Sequence, residues 1–419
     1  MNYITNFDSF PKGTEIYIYG AGGAGKELVE YVVSSGRVVA KGFIDTYKNG
    51  EFLGLPIFKF EDFKTMTGAG EAIIVIASAY ETEIAWQLED AGIASFHAFR
   101  NMDRYVLCRL MDRLLPADEK YSLLDVGAQN PLKTTFWLPL QGERLEIFGF
   151  DANAQECARI NQEAKIKGLN YTCYLIALWS EIGKRTFYHT PEISENSSFY
   201  PHNFDIINRW KVQYRYGHYT MGHAMQKVEA IEMKVDTLDN WKREYGIGSI
   251  DFAKLNIEGA ELPVLQGGKS IMADLLGIMA EASMVDYNRP MFSELDAFIR
   301  SQGFEFFDFW VSNAIGRHAS PLSVASMPDI TCKQGQVVQT YPVYFRDPIR
   351  MQQQGRDLGM FNRVRLLKLV GLAEMFMQIE FALEILNWTA DFLEARGEAV
   401  ADLRQAFDEA IGRYKSQFA

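Results

Sequence analysis

Acidic side chains occur near the ends of three apolar segments between residues 122 and 259 of this sequence. Asp125 comes at the end of SLLDVG, Asp151 at the end of LEIFGFD and Glu258 at the end of DFAKLNIEG. If these segments are parallel strands, their carboxyl ends meet at one edge of a sheet, where a carboxylate can bind both hydroxyls of a ribose. The pattern therefore predicts a nucleoside site at that edge.

An acidic cleft of this kind also suits a cationic nucleoside. S-adenosylmethionine carries a positive sulfonium, and the chain is acidic overall, with 42 Lys+Arg against 54 Asp+Glu and a net charge of -12. A negative field favours such a ligand and repels phosphate backbones. We therefore expect S-adenosylmethionine as the cofactor and no nucleic-acid partner.

The motifs around these acids resemble the FkbM family of S-adenosylmethionine-dependent O-methyltransferases. The likeness runs from about residue 122 to 310 and lies in DVGA at Asp125, IALWSEIG, SSF, TLD, DFAKLNIEGAE, VLQGG and MAEAS. It implies a Rossmann-like methyltransferase fold and a small-molecule acceptor with a hydroxyl group, on a sugar, a polyketide or a similar metabolite. It also implies that one set of residues binds the cofactor: Asp125, Gly127, Asp151, Ala177, Leu178, Asn256 and Glu258.

Two positions depart from the family pattern. The first loop has Gln129 and Pro131 where the family has Asn and Gly, and proline fixes φ and removes an amide donor. Asn256 replaces an aspartate, and a neutral amide is a weaker metal ligand, so we expect no metal. These departures keep an alternative open, in which the chain is a non-catalytic nucleotide or nucleotide-sugar binding protein with a degenerate methyltransferase site.

Methyl transfer to a hydroxyl requires that a proton be removed, and a positioned base contributes about 10²- to 10⁴-fold. The candidates for the catalytic base are Glu258, His189, His218 and His223, and the segment that carries the histidines is rich in aromatic residues, as in a lid or an acceptor-binding insertion. Each histidine could equally be an ordinary surface or core residue. Glu261 is expected to cap the following helix, and Glu281 and Asp286 are further acids near strand ends.

A glycine-rich turn near the N-terminus points to a second nucleotide site. The strand EIYIY leads into Gly20, Gly22 and Gly25, a helix follows, and the next apolar run ends at Asp45. This spacing is typical of a dinucleotide fold, in which glycines let the backbone approach a pyrophosphate. Alternatively, Gly22 and Gly25 only permit close helix–sheet packing. The segment 42–63 resembles the N-terminal domain of nucleotide-sugar acetyltransferases, which implies a nucleotide or nucleotide-sugar ligand.

The order of apolar strands and helical segments predicts an α/β chain with two Rossmann-like, doubly wound domains in series and a helical C-terminal region. We expect a nucleotide-binding domain over 1–100, a helical connector over 101–120, the methyltransferase domain over 121–346 and the helical region over 347–419. KRTFYHT and AIEMKVDTL are expected among the strands of the mostly parallel sheet of the methyltransferase domain, and two aromatic segments, FEFFDFWVS and VVQTYPVYF, are expected as an antiparallel edge. The C-terminal stripe of Met375, Phe376, Ile379, Leu383 and Leu386 is expected to be a packing face, against the second domain or in a homodimer.

Composition favours a cytoplasmic protein. The four cysteines are far apart and form no C-x-x-C pair, which fits a reducing compartment. The N-terminal residues lack the pattern of a signal peptide. No apolar run reaches the ~20 residues that a membrane span needs, so none is expected.

Overall fold

The structure is a computed structural model that describes residues 2–66, 68–78, 80–128, 137–140, 144–214, 217–286, 290–315, 317–320 and 335–417. The chain divides into two compact units, the first ending at Arg104 and the second beginning at Tyr105. Within the described part of the chain, no helix is long and apolar enough to cross a membrane.

The first unit is built on one sheet of seven strands, in the order β1-β7-β6-β2-β3-β5-β4. All neighbouring strands are parallel except the β4–β5 pair. The strands are β1 (Asn2–Ile4), β2 (Thr14–Tyr19), β3 (Val38–Asp45), β4 (Gly50–Phe52), β5 (Leu55–Lys59), β6 (Ile73–Ile76) and β7 (Phe96–Phe99). The helices are α1 (Gly23–Ser35), α2 (Phe60–Phe63) and α3 (Glu81–Asp90). The glycine turn between β2 and α1 therefore has the strand–turn–helix context that the sequence predicts.

The second unit is built on a larger sheet in the order β10-β9-β8-β16-β17-β20-β18, with β19 paired to β20. The strands are β8 (Tyr121–Val126), β9 (Leu145–Asp151), β10 (Tyr171–Leu175), β16 (Phe252–Leu255), β17 (Gly277–Ala280), β18 (Ala282–Ser283), β19 (Glu305–Ile315) and β20 (Gln336–Phe345). From β10 to β17 all pairs are parallel, whereas β20 runs antiparallel to its neighbours. The predicted antiparallel pair of aromatic strands is therefore β19 and β20.

Two segments expected in the main sheet lie elsewhere. KRTFYHT and AIEMKVDTL form the antiparallel pair β12 (Gly183–His189) and β15 (Glu229–Asp236), and β11 (Ala177–Leu178) completes a separate sheet in the order β11-β15-β12. A hairpin of β13 (Lys211–Tyr214) and β14 (Gly217–Thr220) lies between them in the chain. Strands buried on both faces are apolar throughout, whereas these segments carry charges along their length, which is the pattern of a strand with one face in solvent.

Helices surround the main sheet, and those near the C-terminus form its largest buried layer. The helices of this unit are α4 (Val106–Leu114), α5 (Ala154–Lys167), α6 (Phe204–Ile207), α7 (Leu238–Glu244), α8 (Glu261–Gln266), α9 (Lys269–Asp274), α10 (Phe292–Ser301), α11 (Pro348–Gln353), α12 (Arg363–Met375), α13 (Ile379–Glu394) and α14 (Ala401–Gln417). The helices α4, α12, α13 and α14 pack on one another. Met375, Phe376 and Leu386 are buried in a core shared with the sheet, so the predicted stripe is a packing face. The predicted α/β class with a helical C-terminal region is confirmed.

Helix α12 carries two buried charged residues that tie the helical layer to the rest of the unit. Lys368 Nζ lies 2.9 Å from Asp251 Oδ2 and 2.6 Å from Glu119 Oε1. The Glu374 carboxylate accepts hydrogen bonds from the Leu107 and Cys108 amides at the start of α4. Because unpaired buried charges are costly, both contacts constrain how α12 can dock.

We expect Lys368→Met to destabilise the second unit by about 3–5 kcal/mol, because it leaves the Asp251 carboxylate buried without its ammonium partner. Lys368→Met combined with Asp251→Asn should recover most of that loss. Urea unfolding followed by circular dichroism measures the free energy of unfolding. Arg404→Met, which removes two exposed ion pairs between α14 and α13, is the control and should cost less than about 1 kcal/mol. Equal losses for Lys368→Met and the control would contradict this interpretation.

Candidate functional site

The second unit contains a cavity of about 700 Å³ at the carboxyl ends of its parallel strands. Strand β8 pairs with β9 on one side and with β16 on the other, so successive crossovers leave it in opposite directions. In open α/β sheets a crevice forms where the strand order reverses in this way, and ligands bind there. The wall includes Gly127, Phe150, Asp151, Ile176, Ala177, Leu178, Phe187, His189, Glu195, Ser197, Phe199, His202, Ile207, Met221, Met225, Asn256, Glu258, Glu281, Gln339 and Tyr341.

Asp125, the first of the predicted acids, is buried in the sheet and is not part of the cavity wall. Its carboxylate accepts hydrogen bonds from Lys254 Nζ and from the Tyr171 hydroxyl, each at 2.8 Å. Tyr171 reaches Asp125 across β9 at Gly149, where a Cβ would lie 2.5 Å from the Tyr171 hydroxyl oxygen. The charge of Asp125 is therefore balanced inside the protein.

Gly127 lies on the cavity wall directly after β8. Its φ is +79°, and a Cβ there would lie 1.8 Å from the backbone oxygen of Asn256, so no other residue fits this position. Lys254 Nζ also donates to the Gly127 carbonyl at 2.9 Å. The loop after β8 is thus held against the loop after β16. Gln129 and Pro131, whose effect on this loop was in question, lie outside the described residues.

Asp151 ends β9 and lines the cavity, as the sequence predicts. Its Oδ1 accepts a hydrogen bond from the Asn153 amide at 2.7 Å. Burial raises the pKa of Asp151, and the Asn153 amide and the Lys254 charge oppose that effect. Ala177 and Leu178 of β11 line the same part of the cavity.

At the other end of the cavity, Asn256 and Glu281 follow the neighbouring strands β16 and β17. The Asn256 amide lies between the Glu281 carboxylate and the Tyr341 hydroxyl. With its nitrogen towards Glu281, it donates to the two carboxylate oxygens at 3.0 and 3.2 Å. The Tyr341 hydroxyl donates to Glu281 Oε1 at 2.6 Å, and Gln339 Nε2 donates to the same oxygen.

Glu258 also lines the cavity, in a left-handed backbone conformation with φ +52° that is uncommon for any residue but glycine. Its carbonyl accepts a hydrogen bond from Ser198 Oγ at 2.6 Å. Glu261 is buried, and its carboxylate accepts from the amides of Ile257 and Gly259 at 2.8 and 3.0 Å. Glu261 therefore lies in the first turn of α8, as the sequence predicts, and its carboxylate also holds the backbone turn before that helix.

Burial raises the pKa of both Glu261 and Glu281, and the negative charge of Glu281 raises that of Glu261 further. Tyr341 and Lys254 act in the opposite direction on Glu281. The two carboxylates therefore hold a proton more readily than ordinary glutamates do.

The predicted catalytic histidines lie in different places. His189 lines the cavity, and its Nδ1 is 3.2 Å from Ser197 Oγ. His218 lies on β14, with its side chain outside the described part of the structure, and His223 is exposed in a short turn that does not line the cavity. The structure instead places His202 on the wall, where its Nε2 is buried without a hydrogen-bond partner among the described residues.

Sequence reasoning missed three residues of this site. His202 was one of several histidines in the insertion, and no spacing distinguished it from the others. Gln339 and Tyr341 lie on β20, an antiparallel strand far along the chain, so no strand-end rule applies to them. Glu281 did have such a signal, since it directly follows an apolar strand. Asp286, which shares that signal, is exposed and does not line the cavity.

In the first unit, the Asp45 carboxylate accepts hydrogen bonds from the amides of Ala21, Tyr47 and Lys48. Burial alone would raise the pKa of Asp45, but these amides lower it below its usual value. The Lys48 ammonium donates to the Ala21 carbonyl at 2.6 Å, across the glycine turn. Gly25 packs against the Gly20 carbonyl and the Phe43 ring, which fits the packing alternative, whereas Gly20 begins the turn and Gly22 lies in open space. A nucleotide site here stays a prediction.

The described residues contain no group of three or more His, Cys, Asp or Glu side chains arranged to hold a metal ion. Asn256, at the position where a carboxylate would favour Mg²⁺, is engaged with Glu281 and Tyr341.

The glutamate pair predicts a pH-dependent stability. A carboxyl whose pKa is raised in the folded state binds its proton more tightly there, so the free energy of unfolding falls as the pH rises from 4.5, the ordinary value, through the neutral range. Each tenfold gain in the proton affinity of a carboxyl on folding corresponds to about 1.4 kcal/mol of stability at low pH. Glu281→Gln should flatten this decline, and the exposed Glu195→Gln should leave it unchanged. Urea unfolding between pH 5 and 9 measures the free energy of unfolding. Equal declines for the unmodified chain, Glu281→Gln and Glu195→Gln would contradict the assignment of this pH dependence to Glu281.

Comparison with known proteins finds a family match within this unit. Residues 125–306 match the family described as the methyltransferase FkbM domain. Among solved structures, the chain is similar to the FkbM methyltransferase from Methylobacillus flagellatus KT, with 13% identity, 81% of this chain and 92% of that chain covered, and a TM-score of 0.30. It is also similar to a SAM-dependent methyltransferase from Agrobacterium tumefaciens, with 10% identity, coverage of 59% and 62%, and a TM-score of 0.27. No curated protein matches the chain significantly. By the family match, the chain carries a methyltransferase domain of the FkbM family at residues 125–306.

Proposed function

We propose that this methyltransferase uses S-adenosylmethionine as its donor and methylates a hydroxyl on a carbohydrate or a related polar metabolite. One observation carries the proposal. The cavity lies at the switch point between β8 and β16, with the Gly127 backbone and the Asp151 carboxylate on its wall. The donor supplies a methyl group on a cationic sulfur, and the protein positions it against the acceptor.

The residues around Asp151 fit the nucleoside part of the donor. Asp151 ends β9 and lines the cavity, and a carboxylate at such a strand end can accept hydrogen bonds from both ribose hydroxyls. Phe150, Ile176 and Leu178 offer apolar surface to a purine ring beside it. The volume of about 700 Å³ is also in the range of sites that hold a cofactor together with a small substrate.

The support for a hydroxyl acceptor comes from further proton acceptors on the cavity wall, which are His189, Glu258 and Glu281. A hydroxyl is a poor nucleophile until its proton is accepted by a base, so these groups suit O-methylation. Most of the rate enhancement in such a displacement comes from holding the oxygen in line with the methyl–sulfur bond.

Donor binding tests the proposal directly. Isothermal titration calorimetry of the full chain should show binding of S-adenosylmethionine and of S-adenosylhomocysteine. Asp151→Ala should weaken both by about 10- to 100-fold, since hydrogen bonds to a charged group contribute about 1.5–3 kcal/mol. The matched control is Asp408→Ala, an exposed acid on α14, which should bind as the unmodified chain does.

Absence of binding of either compound at millimolar concentration would contradict the proposal and favour the alternative of a nucleotide-binding protein with a degenerate site. Binding that survives Asp151→Ala unchanged would place the ribose elsewhere in the cavity.

A further inference from the structure

We propose that Glu281 is the catalytic base, which takes the proton from the acceptor hydroxyl at the end of the cavity opposite Asp151. This inference rests on the proposed function and deepens it. It differs from the expectation drawn from the sequence, in which Glu258 and three histidines were the candidates.

The sheet order places Glu281 at the acceptor end. Asp151 ends β9 and Glu281 follows β17, and the strands β8 and β16 lie between them. Neighbouring strands are about 4.8 Å apart, so three spacings separate the two strand ends by ~14 Å. A donor whose ribose binds at Asp151 therefore extends along the edge of the sheet towards Glu281.

Glu281 is held in place by side chains from two other strands. It is only 5% exposed, yet it lines the cavity. Tyr341 and Gln339, which alternate with Thr340 on β20, both donate to its Oε1. The Asn256 amide bridges its two oxygens at 3.0 and 3.2 Å, and because Tyr341 and Gln339 both donate to Oε1, Oε2 keeps a lone pair that can accept from an acceptor hydroxyl.

The same geometry gives a physical reason for Asn256. An aspartate at this position would put a further carboxylate against Glu281, with Glu261 already buried nearby. An amide supplies a donor there instead, which supports the ionised form of Glu281. The departure from the family pattern is therefore compatible with a working site.

The charge environment suits a base. Burial raises the pKa of Glu281 from that of an ordinary glutamate towards neutrality, where general bases are most effective. Lys254, beneath the cavity, limits this rise by favouring the ionised form.

The cavity wall near β20 also contains apolar side chains. Ile207 and Met225 share a buried cluster with Val338, the residue before Gln339, and Met221 packs against that cluster. We therefore expect an acceptor that presents C–H surface beside its hydroxyl, as the face of a sugar ring does.

The proposed step is balanced. The acceptor oxygen forms a bond to the methyl carbon while the bond between that carbon and sulfur breaks, and its electron pair stays on sulfur. The sulfonium becomes a neutral thioether. The hydroxyl proton moves to the Glu281 carboxylate, which becomes a carboxylic acid and later releases the proton to water.

The test uses sinefungin, a donor analogue in which a carbon replaces the sulfur and an amine replaces the methyl group. Because the amine occupies the position of the transferred methyl, the test needs no acceptor. If Glu281 faces the reacting position, its carboxylate pairs with that ammonium. Titration calorimetry at pH 8 should show that Glu281→Gln lowers the affinity for sinefungin by about 10- to 100-fold, as expected for the loss of a charge-assisted hydrogen bond. The affinity for S-adenosylhomocysteine, which lacks the amine, should change less than twofold and shows that the variant is folded.

Two matched variants make the result specific. Asp408→Asn removes an exposed carboxylate on α14, away from the cavity wall, and should leave both affinities unchanged. Glu258→Gln, at a residue that the sequence assigns to the donor, should change the affinities for sinefungin and S-adenosylhomocysteine by the same factor. A loss of sinefungin affinity alone in Glu258→Gln would assign the base to Glu258 and overturn the proposal. An equal loss of affinity for sinefungin and S-adenosylhomocysteine in Glu281→Gln, or no loss, would likewise overturn it. If the unmodified chain binds neither of these compounds nor S-adenosylmethionine, the proposed function itself fails.

Discussion

The ion pair between Lys254 and Asp125 is the contact on which the methyltransferase site depends. The two residues are register partners on the adjacent parallel strands β16 and β8. Lys254 Nζ reaches both the Asp125 carboxylate and the Gly127 carbonyl, so one ammonium joins the strand to the loop that follows it. This contact fixes the two strand ends between which the cavity opens. A buried pair of this kind carries a desolvation cost that is recovered only when its hydrogen bonds are complete, and the Tyr171 hydroxyl completes them.

This pair also determines which acids face the cavity. Asp125 forms an ion pair with Lys254 inside the sheet, whereas Asp151, Glu258 and Glu281 line the cavity. Their environments differ, because Asp151 is stabilised by a backbone amide and Glu281 by side chains from β20. The different roles proposed for Asp151 and Glu281 therefore rest on differences in the burial and the partners of two similar carboxyl groups.

The C-terminal helices form part of the same unit. Helix α12 is buried along most of its length, and its Lys368 pairs with Asp251, the residue directly before β16. The strand that carries Lys254 and Asn256 is thus anchored at its beginning by the helical layer. A homodimer through these helices stays a prediction, and so do the domain limits and the N-terminal nucleotide site expected from the sequence.

The sequence by itself determined the α/β class, the helical C-terminal region, the family of the second unit and the position of Asp151 on the cavity wall. These features follow from local patterns, since strand periodicity, glycine turns and acids at strand ends are short-range signals. It placed β12 and β15 in the wrong sheet, because a run of strand-forming residues does not say which strand is its partner. Only the tertiary structure decided that Asp125 forms an ion pair with Lys254. It also decided that one hydrogen-bond network joins Asn256, Glu281, Gln339 and Tyr341. Those contacts join residues that are up to 129 positions apart, and no pattern along the chain encodes such a distance.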